Sequence, residues 1–313
     1  MDLPGNLISG SAAPVPSCDR PARRTTVLRL GEMSIEGVSV AGDETWFRIH
    51  PPGLAFDVGR GASAQVGARD LFLSHGHLDH SLGVPYVLSQ RNLQRPGRRT
   101  VAASADPPAA ATRIFCPRDV VDGIAALIAA CEQLERVRYS YEISGLSPGD
   151  RVEVGPGLAI EAFATDHVVP SLGYHLLRRR RKLLPELIGR SGEDLRELRG
   201  RQIEIDREIE EIWLSYCGDT GAKVWTLCPK LVESRLLMIE CTFLGEEVRA
   251  NASAYKHLHF DDLVEHAAEL AGHEAIVLHH VSRRHSLDAL RRAIFERLPQ
   301  LAERIHLIGA SDG

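Results

Sequence analysis

The chain has 313 residues, 44% of them hydrophobic and 25% charged, with a formal net charge of −5. That length holds one large core or two modest ones, at the charge content of an ordinary globular protein. The balance gives no global signature of nucleic-acid binding, and no apolar run approaches the roughly 20 residues of a membrane span.

Met1–Arg24 is rich in Pro, Ser, Ala and Gly and lacks a basic start followed by an apolar stretch. It therefore reads as a disordered extension, not a signal peptide, with a folded domain over 25–313. Short strands are expected at Thr26–Leu30, Glu44–Ile49 and Leu54–Asp57. The apolar run Asp70-Leu71-Phe72-Leu73 opens a buried strand that reaches His75, and Ser81–Leu88 reads as the start of a helix. A low-complexity loop around Ala102–Ala111 leads to a strand at Thr112–Cys116. Val121–Leu134 has helical periodicity, with Val121, Ile124, Leu127 and Ile128 on one face. Strands are then expected at Val137–Ser144, Arg151–Val154 and Leu158–Thr165. A similar second half follows, with strands at Trp213–Cys217, Leu236–Glu240 and Ala275–His279 and a helix at Phe260–Ala271. Strand-rich halves with helices outside predict an α+β fold in which two sheets form a sandwich flanked by helices.

From about 176 to 212 the composition turns strongly charged, which marks an insertion projecting from the body. It opens with Arg178, Arg179, Arg180, Arg181 and Lys182, a cationic run whose self-repulsion is costly without an anionic partner. Arg91, Arg95, Arg98 and Arg99 form a looser group that also reads as a solvated face. Cys18, Cys116, Cys131, Cys217, Cys228 and Cys241 are scattered, with no C-x-x-C pair. They read as buried free thiols in a reducing cytoplasm, and Cys217 as a strand residue, not a ligand.

The densest chemistry lies in Ser74-His75-Gly76-His77-Leu78-Asp79-His80, where four metal-ligand side chains fall within six residues. Alternation along an extended backbone puts His75 and His77 on one side, and the turn into a helix swings Asp79 and His80 toward a second point. Imidazole and carboxylate donors in that arrangement suit two zinc ions. Asp166-His167, Gly218-Asp219 and His279-His280 each close an apolar strand. A lone histidine such as His167 is usually structural, but several such endings gathered at one sheet rim add ligands to the same centre.

This order of motifs resembles the metallo-β-lactamase superfamily and, within it, ribonuclease Z, the tRNA 3′-processing endonuclease. The H-x-H-x-D-H motif stands as His75, His77, Asp79 and His80, preceded by Asp57 in Ala55-Phe56-Asp57-Val58-Gly59. The third motif matches His167-Val168-Val169-Pro170-Ser171-Leu172-Gly173-Tyr174, the G-D-T motif Gly218-Asp219-Thr220, and the last ligand His280. Lys182–Glu193 and Lys256-His257-Leu258-His259 are similar to the short form known from plants. The Gly/Pro-rich arm of typical bacterial enzymes is replaced here by a compact charged one.

The resemblance implies an αββα sandwich with one zinc on His75, His77 and His167, a second on Asp79, His80 and His280, and Asp219 as the bridge. Manganese or iron could take the same positions. Asp79 would help orient or deprotonate the attacking water, and Asp57 would fix a ligand imidazole. His257 matches the proton donor to the leaving 3′-oxygen and Glu240 the carboxylate that orients it. His259 stands as the alternative donor or as a supporting residue. Precursor tRNA is the implied substrate, with Arg178–Lys182 contacting its phosphates, and a homodimer the implied assembly. A hydrolase of small phosphodiesters or thioesters on the same metal core is the alternative.

Overall fold

The computed structural model describes residues 25–94 and 111–309. The extension over 1–24, Cys18, Arg95, Arg98, Arg99 and most of the Ala102–Ala111 loop lie outside the described residues.

The first sheet runs in sequence order: β1 (Thr26–Leu30), β2 (Met33–Val40), β3 (Glu44–His50), β4 (Leu54–Val58), β5 (Asp70–Phe72), β6 (Thr112–Pro117) and β7 (Tyr141–Leu146). Its first four strands are an antiparallel meander, and from β4 to β7 neighbours are parallel. Helices α1 (Leu78–Ser81), α2 (Val84–Leu93) and α3 (Val121–Glu135) occupy the crossovers. The second sheet repeats the scheme with β8 (Arg151–Gly155), β9 (Leu158–Ala164), β10 (Leu172–Leu183), β11 (Asp206–Tyr216), β12 (Leu236–Glu240), β13 (Ala275–His279) and β14 (Ile305–Leu307). Here too the first four strands are antiparallel and the neighbours from β11 onward parallel. α4 (Gly192–Gly200) lies between β10 and β11. α5 (Val224–Leu227), α6 (Arg249–Tyr255), α7 (Phe260–Glu265), α8 (Ala267–Leu270) and α9 (Leu287–Arg297) follow β11.

Three apolar clusters separate four layers. Phe47, Ile49, Phe56, Phe72, Tyr174, Leu214, Tyr216 and Met238 fill the space between the sheets. Ala55, Leu71, Val84, Val87, Ile114 and Ile128 hold the first helical layer, and Leu237, Ile239, Phe260, Leu263, Leu278 and Leu290 the second. Each fully buried Val, Leu, Ile, Phe or Met side chain among them contributes about 1.5–3 kcal/mol relative to exposure. The central layer also reaches the site. Phe56 stacks between Tyr174 (5.9 Å) and Tyr216 (4.9 Å), and both phenols are hydrogen-bonded, to Leu73 O and to Asp57.

β2, β10, β14, α4, α5, α6 and α9 lie outside the elements that the sequence pattern predicts. In β10, Leu172, Tyr174 and Leu176 are buried in the sandwich, whereas Arg179–Lys182 continue the same strand into solvent. The charged half hides the alternation of the apolar half. The segment expected at Val137–Ser144 begins its strand four residues later, at Tyr141, because Val137 ends the turn that follows α3.

Candidate metal centre

Ligand candidates gather just past the carboxyl ends of strands from both sheets. β5 leads to His75 and His77; Asp79 and His80 lie in α1; β9 leads to His167, β11 to Asp219 and β13 to His280. Gly218 precedes Asp219 with φ +59°, and a Cβ there would lie 2.6 Å from Ser74 Cβ, so glycine is required.

Two donor sets form. His77 Nδ1 lies 3.0 Å from His75 Nε2 and 3.3 Å from His167 Nε2. His80 Nε2 and His280 Nε2 are 3.3 Å apart, each 3.6 Å from Asp79 Oδ2. Asp219 Oδ2 serves both sets, at 3.7 Å from His75 Nε2, 3.4 Å from His80 Nε2 and 3.3 Å from His280 Nε2. Asp219 Oδ1 is buried without a hydrogen bond. Ligands about 2.0–2.1 Å from a tetrahedral cation stand roughly 3.3–3.4 Å from one another. The observed spacings scatter about that value, so the residues fit a pair of cations bridged by Asp219.

The remote ring nitrogens explain why the donor nitrogens converge. Buried Asp57 accepts from Ser74 N and Ser74 Oγ, both at 2.7 Å, from His80 Nδ1 at 2.8 Å and from Tyr216 OH. His75 Nδ1 donates in turn to Ser74 Oγ at 2.9 Å. One carboxylate thus orients His80 directly and His75 through a hydroxyl. Glu240 is the counterpart in the second half. It accepts from Thr220 N (2.7 Å), Leu258 N (3.2 Å), His257 Nδ1 (2.8 Å) and Thr242 Oγ1. Thr242 Oγ1 accepts in turn from His280 Nδ1 at 2.9 Å. With Nδ1 of each ring committed, Nε2 is the nitrogen that His80 and His280 each turn toward Asp79 and Asp219.

Charge follows this geometry. Burial pushes the His75, His77 and His167 imidazoles below their usual pKa, which keeps them neutral donors. Burial opposes charge on Asp219, but the His280 and His80 imidazoles outweigh it and hold the carboxylate ionised. His257 is pushed up to about 9: burial opposes its charge, and the Glu240 carboxylate prevails.

His259 lies elsewhere. Its Nδ1 accepts from Asp261 N at 3.1 Å, capping α7, and its Nε2 donates to Gly245 O at 2.9 Å, so both nitrogens are engaged. The cationic run is also placed differently from a free patch. β11 sets Glu211 opposite Arg178, Glu210 opposite Arg179 and Glu208 opposite Arg181. Arg178 pairs with Glu211 (2.6 Å) and Glu32 and covers Trp213 at 4.1 Å. Arg179 pairs with Glu153 (2.6 Å), Arg180 with Glu211 (2.9 Å) and Arg181 with Asp206. The anionic partner that the run demands is supplied within the chain. Lys182, opposite Arg207, has no carboxylate within 4.0 Å among the described residues.

Sequence reasoning missed Ser74, Thr242, Thr220 and Tyr216. Ser74 adjoins a ligand and Thr242 follows Glu240 by two, yet a hydroxyl carries no ligand signal of its own. The described cysteines are free, and none belongs to the donor sets.

A family model described as "Beta-lactamase superfamily domain" matches residues 65–280. The chain is 29% identical to tRNase Z TRZ1 of Arabidopsis thaliana, over 87% of this chain and 93% of that one. It is 30% identical to a ribonuclease Z of Nocardia farcinica, over 74% of this chain and 79% of that one. Its fold matches the crystal structure of human tRNase Z, short form, with a TM-score of 0.51 at 18% identity, covering 95% and 93% of the two chains. The chain belongs to the beta-lactamase superfamily and, within it, to the ribonuclease Z family.

Proposed function

We propose that this protein is a zinc-dependent endoribonuclease that removes the 3′ trailer from precursor tRNA. The observation that carries the reading is the His257–Glu240 pair beside the donor sets, with the His257 ring 5.3 Å from that of His280 and 5.1 Å from that of His167. Nδ1 is committed to Glu240, so Nε2 is the nitrogen left to carry a proton toward substrate.

His75, His77 and His167 would hold one cation, Asp79, His80 and His280 the other, with Asp219 shared. When bound, the pair supplies positive charge that polarises a phosphodiester and acidifies water. Five imidazoles with two carboxylates suit zinc, and manganese or iron would fit the same donors. Asp79, partly exposed and held ionised beside His280 and His80 against the pull of burial, takes the proton of the attacking water. As the new P–O bond forms, the bond to the 3′-oxygen breaks and His257 Nε2 protonates the departing oxygen. Glu240 stabilises the charged imidazole beforehand and keeps its ring in place.

The reading includes a homodimer in the cytoplasm. Leu78, Leu82 and Tyr86 are exposed at intervals of four residues beside the ligands and offer an apolar seat for a second copy, which sedimentation tests. The free thiols fit a reducing compartment. No helix among the described residues is long and apolar enough to cross a membrane.

The deciding experiment compares a tRNA bearing a 3′ trailer with bis(p-nitrophenyl) phosphate. Cleavage at the trailer junction is expected, and His257→Ala should lower it about 10²–10⁴-fold. The loss should shrink on the nitrophenyl ester, whose leaving group needs no proton. Hydrolysis of the ester alone moves the assignment to a small-phosphodiester hydrolase. The same selective loss in His259→Ala but not His257→Ala would reassign the proton donor.

A further inference from the structure

Lys256, immediately before His257, holds a left-handed backbone (φ 53°) where glycine is the usual occupant. Its side chain is engaged on the neighbouring loop. Nζ lies 3.1 Å from Asp166 Oδ1 and donates to the His167 carbonyl at 3.3 Å. In return, the Lys256 carbonyl accepts from His167 Nδ1 at 3.3 Å, which turns Nε2 of that imidazole toward the donor set.

The anchor on the far side is itself fixed. Asp166 N donates to Thr220 Oγ1 at 3.0 Å, and Asp166 O accepts from Gly221 N at 2.7 Å. A Cβ on Gly221 would lie 3.0 Å from Asp166 Oδ2 and 3.5 Å from Lys256 Cα, so a larger residue would press on the Asp166 carboxylate and shift it by a few tenths of an ångström. On the near side, His257 N donates to Ala252 O at 2.9 Å, which holds the loop to the end of α6.

We propose that Lys256 is a positioning residue that clasps the loop carrying His257 to the loop carrying His167, through its ammonium and its own carbonyl. This rests on the reading of His257 as proton donor. A donor must meet the leaving oxygen within hydrogen-bond reach, and a displacement of about 1 Å can cost on the order of 100-fold in rate. The clasp fixes that distance by joining the donor's loop to a ligand of the cation pair. A glycine at 256 would relieve the backbone and keep the carbonyl but abolish the ionic half.

The test uses metal-loaded protein with Lys256→Arg, Lys256→Met and Lys256→Gly. Metal per chain should stay at the wild-type value in all three. Lys256→Met and Lys256→Gly should cleave the 3′-extended tRNA about 10–100-fold more slowly in kcat and lose less than about 3-fold on bis(p-nitrophenyl) phosphate. Lys256→Arg should restore most of the loss. Hydrogen exchange at the His257 amide, read in the peptide spanning 253–260, should quicken in the Met and Gly variants but not in Arg. Equal losses on both substrates, or a glycine variant as fast as wild type on tRNA, overturn the clasp. Unchanged exchange in Lys256→Met overturns it whatever the substrate. A wild-type protein that leaves tRNA uncut fails the endoribonuclease reading instead, and hydrogen exchange then decides the clasp.

Discussion

Replacing Asp57 with asparagine separates the support of the two proposed cation positions from the candidate ligands themselves. The substitution keeps the side-chain volume and suits the left-handed backbone at this position (φ 50°), which asparagine tolerates better than most residues. It removes a charge, and it sets an NH2 group where an acceptor is needed. Asp57 Oδ2 receives three donors, from Ser74 Oγ, His80 Nδ1 and Tyr216 OH, while Oδ1 receives Ser74 N. Whichever way the amide is turned, at least one buried donor loses its acceptor, at a cost of about 1–3 kcal/mol. His80 then loses its orienting charge directly and His75 loses it through Ser74, one histidine in each donor set. Loss of such a supporting carboxylate typically weakens metal affinity about 10–100-fold, or about 1.4–2.8 kcal/mol per ion. Both positions should therefore weaken together in a chelator competition read by elemental analysis. Thr242→Val, which touches His280 alone among the ligands, should weaken one. Asp57→Asn holding either ion at wild-type affinity would refute the shared support.

Asp219→Ala should empty both positions, because one carboxylate oxygen faces both sets; full metal in that variant refutes the bridge. With Arg178, Arg179, Arg180 and Lys182 replaced by Ser, each lost phosphate contact flattens the slope of log affinity against log salt by about 0.9. The three arginines already have carboxylate partners, so a change near one unit is expected, from Lys182. A change near four shows that RNA strips these ion pairs, and no change removes the run from the RNA interface. His175 is buried against Ser215 Oγ (2.7 Å), Cys228 Sγ (3.3 Å) and the Phe163 ring, and burial lowers its pKa to about 4. The unfolded chain takes up this proton first as pH falls below about 6.5, so stability is present above that value and lost toward pH 4. At pH 5 the loss is about 2 kcal/mol. Urea unfolding of metal-free protein should show the stability gap to His175→Asn shrinking by that amount between pH 7.5 and pH 5; a constant gap refutes it.

The sequence revealed most where function is written in residue type at strand ends. His75, His77, Asp79 and His80 are close in the chain, so their spacing shows the candidate ligand pattern directly. His167, Asp219 and His280 are far apart but each closes an apolar strand, which makes them legible once a common rim is supposed. Glu240 and His257 needed the family resemblance, since a carboxylate at a strand end and a histidine 17 residues later carry no pattern of their own. The hydroxyls of Ser74 and Thr242 were hidden because their role exists only in three dimensions, as links between a carboxylate and a ring. The internal partners of the arginine run were hidden for a related reason. Its partners Glu211, Glu153 and Asp206 become neighbours through strand pairing and sheet packing, which a linear count of charge does not see.

The repeat of four antiparallel strands followed by parallel ones makes the chain two near-equivalent lobes joined at the turn Ser147–Asp150. Each donor set is mixed: His75 and His77 meet His167 across the seam, and Asp79 and His80 meet His280. Bound ions therefore act as rivets between lobes, and their binding energy adds to cohesion across the sandwich. A chain cut at that turn should reassemble from its two pieces more tightly with metal than without it. A chelator, acting on so few atoms, would loosen an interface that spans the whole molecule.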